Sequence, residues 1–165
     1  MTAYDKKTLE KLWEGKLSHE ELRPIQSQFK DAGRFEKFLE YCQERVEWDD
    51  KILLPLQPHL FIAQKPDGKR VIKCDCGREF GDYQRNWKLE ARVFVRDSDE
   101  SYQEIYPPMM HADPDWMVLR EFYCPGCYCL LEVENVPPGY PIIHDFQPDL
   151  ETLYRQWLGK ELPEK

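Results

Sequence analysis

Six cysteines stand in the 165 residues, and four of them fall into two short pairs. Cys74 and Cys76 flank Asp75 and precede Gly77 in the run CDCG, while Cys124 and Cys127 bracket Pro125 and Gly126 in CPGC. Thiolates spaced this closely on a tight turn can face one ion. Four soft ligands set tetrahedrally at about 2.3 Å are what a structural zinc takes. Gly77 and Gly126 supply the backbone freedom for so sharp a turn, and Pro125 presets one dihedral. An all-thiolate set implies a closed, structural site, because a catalytic zinc keeps a position for water and takes His or carboxylate ligands. Zinc held this way contributes on the order of 10 kcal/mol to the folding of small modules. A fifth thiol lies close by, since Cys127-Tyr128-Cys129 repeats the spacing of Cys74-Asp75-Cys76. The two-residue spacing with Pro-Gly inside makes the better knuckle. The expected ligands are therefore Cys74, Cys76, Cys124 and Cys127, with Cys129 as the alternative.

Other groups give weaker chemistry. Cys42 falls on an apolar helical stripe and reads as core. His144-Asp145 follows the apolar Ile142-Ile143 and has the make-up of an acid–base pair, although such pairs are more often structural. His19, His59 and His111 stand without a partner in any motif. Asp49-Asp50 beside Trp48 reads as a solvated turn or a salt bridge to another chain rather than a cation site. The sequence holds no phosphate loop, no dinucleotide fingerprint and no nucleophile elbow. Nothing in it amounts to a self-contained active site. Tyr102, Tyr106, Trp116, Tyr140, Phe146, Tyr154 and Trp157 are concentrated where the chain reads as irregular or terminal; such aromatics favour protein–protein contact, and some of them must be core instead.

The elements that must position the thiols follow from periodicity. Leu9, Leu12 and Trp13 lie at helical spacing, and Ser18 with Glu21 forms a capping-box signature. Phe35, Phe38, Leu39, Cys42 and Val46 trace one face of a third helix. The next stretch reads as β. His59–Gln64 and Arg70–Cys74 form a hairpin about the turn Pro66-Asp67-Gly68-Lys69. Leu89, Ala91, Val93 and Val95 alternate with Lys88, Glu90, Arg92 and Phe94 as a period-two strand. Met117–Tyr123 and Leu130–Val136 are further strands. Each cysteine pair thus follows a strand, as in a zinc ribbon, with an insertion of 47 residues between Cys76 and Cys124. Ser98–Asp115, with Pro107, Pro108 and Pro114, reads as a loop with at most a short helix. PPGYP at 137–141 leads to a last helix whose apolar face is Leu150, Leu153, Tyr154, Trp157 and Leu158, started by Asp149 and ended by Gly159.

Composition sets the outer bounds. At 41% hydrophobic and 13% aromatic the chain is not a disordered tail. No apolar run approaches the ~18 residues of a membrane span. Lys plus Arg is 23 against 31 Asp plus Glu, a formal net charge of −8. An acidic domain repels phosphate backbones, so nucleic acid is not an expected partner. MTAYDKKTLE carries no apolar signal core. A cytoplasmic location is expected, with thiols reduced and free to bind metal.

Five stretches together carry a family resemblance: WDDKILLPL, CDCGREFGDYQRNWKLEARVFVRD, EIYPPMM, LREFYCPGC and PGYPIIHDF. They resemble the gamma subunits of acetone carboxylases, over nearly the whole chain. The small zinc subunit of acetophenone carboxylases is a close second. The resemblance implies a non-catalytic subunit that binds zinc through the paired cysteines. Its partners would be large hydantoinase/oxoprolinase-like alpha and beta subunits, in a hetero-oligomer with two copies of each. ATP and magnesium, and manganese in acetone carboxylase, would sit on those partners. The reaction implied is ATP-driven carboxylation of a ketone by bicarbonate, acetone giving acetoacetate or acetophenone giving benzoylacetate. One departure is visible: Tyr128 stands where a glycine is expected after the second knuckle.

The expected fold is α+β: a helical N-terminal arm (1–50), a zinc-ribbon-like antiparallel β region with an inserted loop (51–136), and a Pro-rich linker with a C-terminal helix (137–165). A reading of another class is a free-standing zinc ribbon that binds nucleic acid or protein.

Overall fold

The computed structural model describes residues 4–163. Three helices come first. Asp5 opens α1 (Lys6–Trp13) by accepting the Thr8 N–H at 2.7 Å. Ser18 and Glu21 form the reciprocal capping box of α2 (His19–Ser27), at 3.2 and 2.8 Å. The third helix, α3 (Arg34–Gln43), buries Tyr41 and Cys42, with Phe38 and Leu39 packed alongside. Cys42 is a core residue, as its stripe predicts, and burial pushes its thiol up to about 11.

Two antiparallel sheets follow. Strands β1 (Lys51–Gln57), β2 (Leu60–Gln64), β3 (Arg70–Cys74) and β4 (Glu79–Asp82) form a meander in chain order. The expected hairpin joins β2 to β3, pairing Gln64 with Arg70, and Gly68 takes the left-handed conformation in its turn. Neither β1 nor β4 stands out in the sequence. Pro55 breaks the signal in β1; the strand tolerates it because it lies at the sheet edge, with a register shift between Pro55 and Gln57. Strands β5 (Arg92–Arg96), β6 (Val118–Tyr123) and β7 (Leu130–Val136) form the second sheet. The long connection before β6 contains only a short helix, α4 (Asp99–Gln103).

The alternation around residue 90 is read differently by the structure. Trp87–Glu90 is a 3-10 turn, and the strand begins at Arg92. Lys88, which the pattern puts in solvent, is buried, and Leu89 is exposed. Asn86 caps the turn by accepting the Lys88 N–H at 3.1 Å. The Lys88 ammonium then meets Glu132 and Glu134 at 2.6 Å each and Asp145 at 2.9 Å. Three carboxylates offset the cost of taking one ammonium out of water, which hydrophobic periodicity does not register.

The chain closes as expected in outline. Asp149 caps α5 (Leu150–Thr152) through the Thr152 N–H at 3.0 Å, and the helix runs on as a wider π turn over Leu153–Trp157. Leu150 in α5 and Tyr154 in the wider turn are buried, but Trp157 is left in solvent, against the regular helical spacing. Gly159, at φ 63°, ends it. One core joins both sheets and this terminal piece, through Leu53, Leu60, Ile72, Phe122, Leu131 and Tyr154. No helix among the described residues is long and apolar enough to cross a membrane.

Two tethers yield predictions. The Tyr154 hydroxyl donates to the Leu53 carbonyl at 2.8 Å across 101 residues of chain. Tyr154→Phe leaves that buried carbonyl unpaired and should cost about 1–3 kcal/mol in urea unfolding; an unchanged midpoint would show the tether to be idle. Asp31 accepts from Lys37 at 2.6 Å and from the backbone N–H groups of Tyr4 and Gly33 at 2.9 Å. These bonds, Lys37 first, hold its carboxyl down to about 2 from 3.8. A depressed carboxyl stabilises the fold above its unfolded value, and that contribution is lost as pH falls from near 4 to near 2. Asp31→Asn should flatten the acid-unfolding curve in that window, followed by circular dichroism.

Candidate metal centre

The first cysteine pair closes the β3–β4 hairpin. The Cys74 N–H bonds the Arg78 carbonyl at 2.8 Å, and the Gly77 N–H returns to the Cys74 carbonyl at 2.9 Å. Gly77 sits at φ 91°, where a side chain would strain the backbone. The second pair closes the β6–β7 hairpin, with the Cys124 N–H on the Cys129 carbonyl at 3.0 Å and the Tyr128 N–H on the Cys124 carbonyl at 2.9 Å. Tyr128 adopts φ 61°. The residue in the expected glycine place therefore takes a glycine-like conformation and carries the strain this imposes on a bulky side chain. Its ring lies 5.4 Å from the Arg92 guanidinium.

The two tips meet, although they belong to different sheets. The Sγ atoms of Cys76 and Cys124 lie 3.6 Å apart, and those of Cys74 and Cys127 3.8 Å apart. Sulfurs around one zinc at 2.3 Å stand about 3.8 Å from each other, and the Sγ atoms of these four cysteines all fall within 4.8 Å. These separations far exceed a disulfide bond, and all the thiols are free. The cluster can hold a metal ion, and its donor set and spacing fit zinc. Each tip gives one buried sulfur (Cys74, Cys124) and one exposed sulfur (Cys76, Cys127).

Cys129 belongs to a second, overlapping group with Cys74, Asp75 and Cys127. Its Sγ lies 3.8 Å from Cys74 and 3.4 Å from Cys127. The groups share Cys74 and Cys127. Two ions bridged by sulfurs 3.8 Å apart would sit only about 2.6 Å from each other at ordinary Zn–S lengths, so the groups are alternatives for one ion.

Burial disfavours the thiolate form at Cys74, Cys76 and Cys129. Burial pushes Cys74 far up and raises Cys76, and it takes Cys129 up to about 12. At Cys127 burial is outweighed by hydrogen bonds from the Cys129 backbone and neighbouring thiols, which bring it down to about 7. A bound divalent ion would strip the protons that burial favours on Cys74, Cys76 and Cys129.

The surrounding shell is built from residues the sequence left without roles. The Trp48 indole N–H reaches the carbonyls of Cys74 and Asp75 at 3.2 and 3.0 Å, holding the first tip. Lys73 lies 4.7 Å from the Trp48 ring centre and pairs with the buried Asp50 at 2.6 Å. Asp50 is thus a partner within the chain rather than a solvated turn. His59 has a partner after all: its Nδ1 lies 2.5 Å from the Asp75 carboxylate, and its carbonyl accepts the Asp75 N–H at 3.1 Å. Asp75 inside the knuckle was the available signal. His111 stacks on Tyr102 with ring centres 4.9 Å apart. Asp145 turns to Lys88 rather than forming an acid–base couple with His144. The carboxylates of Glu132, Glu134 and Asp145 converge like a cation site, and Lys88 is the cation they hold. Burial opposes the charge on Lys88, but the three carboxylates outweigh it and raise its pKa.

Two antiparallel hairpins that meet through paired cysteines define a small α+β protein of the knuckle-bearing class. Comparison with known proteins narrows this: the family model for the acetone carboxylase gamma subunit matches residues 46–158. The acetone carboxylase gamma subunit of Xanthobacter autotrophicus (strain ATCC BAA-1158 / Py2) is 46% identical over 164 residues, 99% of this chain and 98% of the relative. The acetophenone carboxylase beta subunit of Aromatoleum aromaticum (strain DSM 19018 / LMG 30748 / EbN1) is 33% identical over 81 residues, 48% of this chain and 63% of the relative. The chain belongs to the acetone carboxylase gamma subunit family.

Gly126 tests the fit of the two tips. A Cβ there would stand 3.2 Å from the Arg78 Cβ and 3.3 Å from the Cys76 Sγ. Gly126→Ala should force the tips apart and cost about 1–3 kcal/mol, with the larger loss in metal-loaded than in chelator-treated protein. Equal loss in both states would mean that the methyl group disturbs the fold and not the cluster.

Proposed function

We propose that this chain is the zinc-binding small subunit of an ATP-dependent ketone carboxylase that converts acetone and bicarbonate to acetoacetate, and that it has a structural role in assembly. The observation that carries this reading is the 46% identity, end to end, with a protein that is itself an acetone carboxylase gamma subunit. The acetophenone reading has a shorter match at lower identity. A nucleic-acid role is opposed by the net charge of −8.

In this reading Cys74, Cys76, Cys124 and Cys127 hold the ion, and Cys129 is the alternative fourth ligand. When bound, zinc supplies a rigid cross-link and no reaction step. The residues of the chain do the rest. Trp48 fixes the first tip, the Cys129 carbonyl closes the second, and Lys88 with its carboxylates stiffens the sheet behind it. The partners are large hydantoinase/oxoprolinase-like alpha and beta subunits, two copies of each with two of this chain. ATP, magnesium and manganese are bound on those partners.

The test is reconstitution. The chain co-expressed with the large subunits should yield a complex that forms acetoacetate from acetone, bicarbonate and ATP, and the chain alone should be inactive. Turnover by the isolated chain would refute the subunit reading. Elemental analysis should find one zinc per chain. Cys74→Ser and Cys124→Ser should lose zinc and stability, while Cys129→Ser should keep both. A zinc-free Cys129→Ser protein would make Cys129 the ligand in place of Cys127.

A further inference from the structure

The connection between β5 and β6 carries apolar surface that the fold does not use. In EIYPPMM and the residues after it, Ile105, Tyr106, Met109, Met110 and Trp116 are all exposed; Met109 is 95%, Met110 70% and Trp116 75% open to solvent. Exposure of this extent on large apolar side chains within one short segment is unfavourable unless something covers them.

The segment is nevertheless held firmly at its base. Tyr102 is buried, donates its hydroxyl to the Met117 carbonyl at 3.1 Å and carries the stacked ring of His111. Arg96 grips the Ser101 carbonyl at 2.6 Å and the Glu104 carboxylate at 2.7 Å. Ser98 and Ser101 cap α4 reciprocally. Met109 is held at φ 63°, a costly conformation for its type. A pre-ordered loop loses less entropy on docking than a mobile one.

Charge says what kind of surface it meets. From Asp97 to Met117 there is no Lys or Arg, while Asp97, Asp99, Glu100, Glu104, Asp113 and Asp115 are all acidic and all exposed. Among the described residues, Arg96 pairs with Glu104 and His111 lies near Asp99. An exposed apolar stretch with acidic residues on both sides of it in the sequence is complementary to an apolar recess bordered by Lys and Arg. A second copy of this chain would bring an identical acidic border against it, so self-pairing through this loop is repulsive.

We propose that residues 97–117 are the element that docks this chain onto a large carboxylase subunit, with Met109, Met110 and Trp116 entering an apolar recess edged by basic residues. This rests on the small-subunit reading and names the surface that reading requires.

The test uses the complex co-expressed with the large subunits. Met109→Ser with Met110→Ser, and separately Trp116→Ala, should each weaken retention of this chain at least tenfold in dilution-dissociation measurements. The isolated variants should melt as the wild type does, because the altered side chains are already in solvent. Asp113→Lys with Asp115→Lys should slow association and reduce its dependence on salt. Wild-type retention and salt dependence in all three variants would overturn the docking proposal while leaving the subunit reading intact. A wild-type chain that never joins the large subunits would overturn the subunit reading itself, and the docking proposal with it. If the isolated wild type is a dimer by light scattering and the loop variants are monomers, the occupant is a second copy and the proposal is wrong.

Discussion

Four sulfurs delivered by the tips of two hairpins, one from each sheet, are the constraint on which the rest of this molecule turns. Within each sheet, backbone hydrogen bonds set the strand register. Among the described residues, the sheets share an apolar core and this meeting of tips. Apolar packing is non-directional, so it can bring two sheets together without fixing their mutual angle. An ion held by sulfurs spaced at a tetrahedral edge would fix it, because such an ion tolerates little change in direction or length. The same geometry explains the local oddities: Gly77 and Tyr128 in left-handed conformations, and Gly126 where no side chain fits comfortably.

A second set of restraints works on the face of the second sheet that carries Phe122. Lys88 gathers Glu132, Glu134 and Asp145, while Arg120 pairs with Glu134 at 2.7 Å and donates to the carbonyls of Tyr140 and Pro141 at 2.8 and 3.3 Å. The Pro-rich stretch after β7 is thereby laid against that sheet, although it forms no regular structure of its own. Buried ion pairs of this kind contribute little net stability compared with an apolar core, but breaking one leaves a stranded charge at a cost of about 3–5 kcal/mol. They act here as position markers for a segment that has no strand partners.

These features divide the chain into a stiffened frame and a presented surface. The frame consists of the two sheets, the thiol cluster and the ionic cage. The surface consists of the acidic, apolar-tipped connection between β5 and β6. That division suits the structural role proposed for the chain.

Much of this is already determined by the sequence. The spacing of Cys74, Cys76, Cys124 and Cys127 marks the cluster, because short ligand spacings and turn residues are local properties. The helix starts at Ser18 and Asp149 and the hairpin at Pro66–Lys69 are visible for the same reason: capping and turn formation involve residues only a few positions apart. Tertiary structure alone decides the rest. It places the two knuckles on different sheets and puts Cys129 within 3.8 Å of Cys74. It buries Lys88 among three carboxylates, gives His59 and Asp50 their partners, and turns Trp157 to solvent. Each of these depends on groups that are distant in sequence or on a change of helical pitch. Periodicity records only which side chains are apolar, and not which distant charge or carbonyl will be there to meet them.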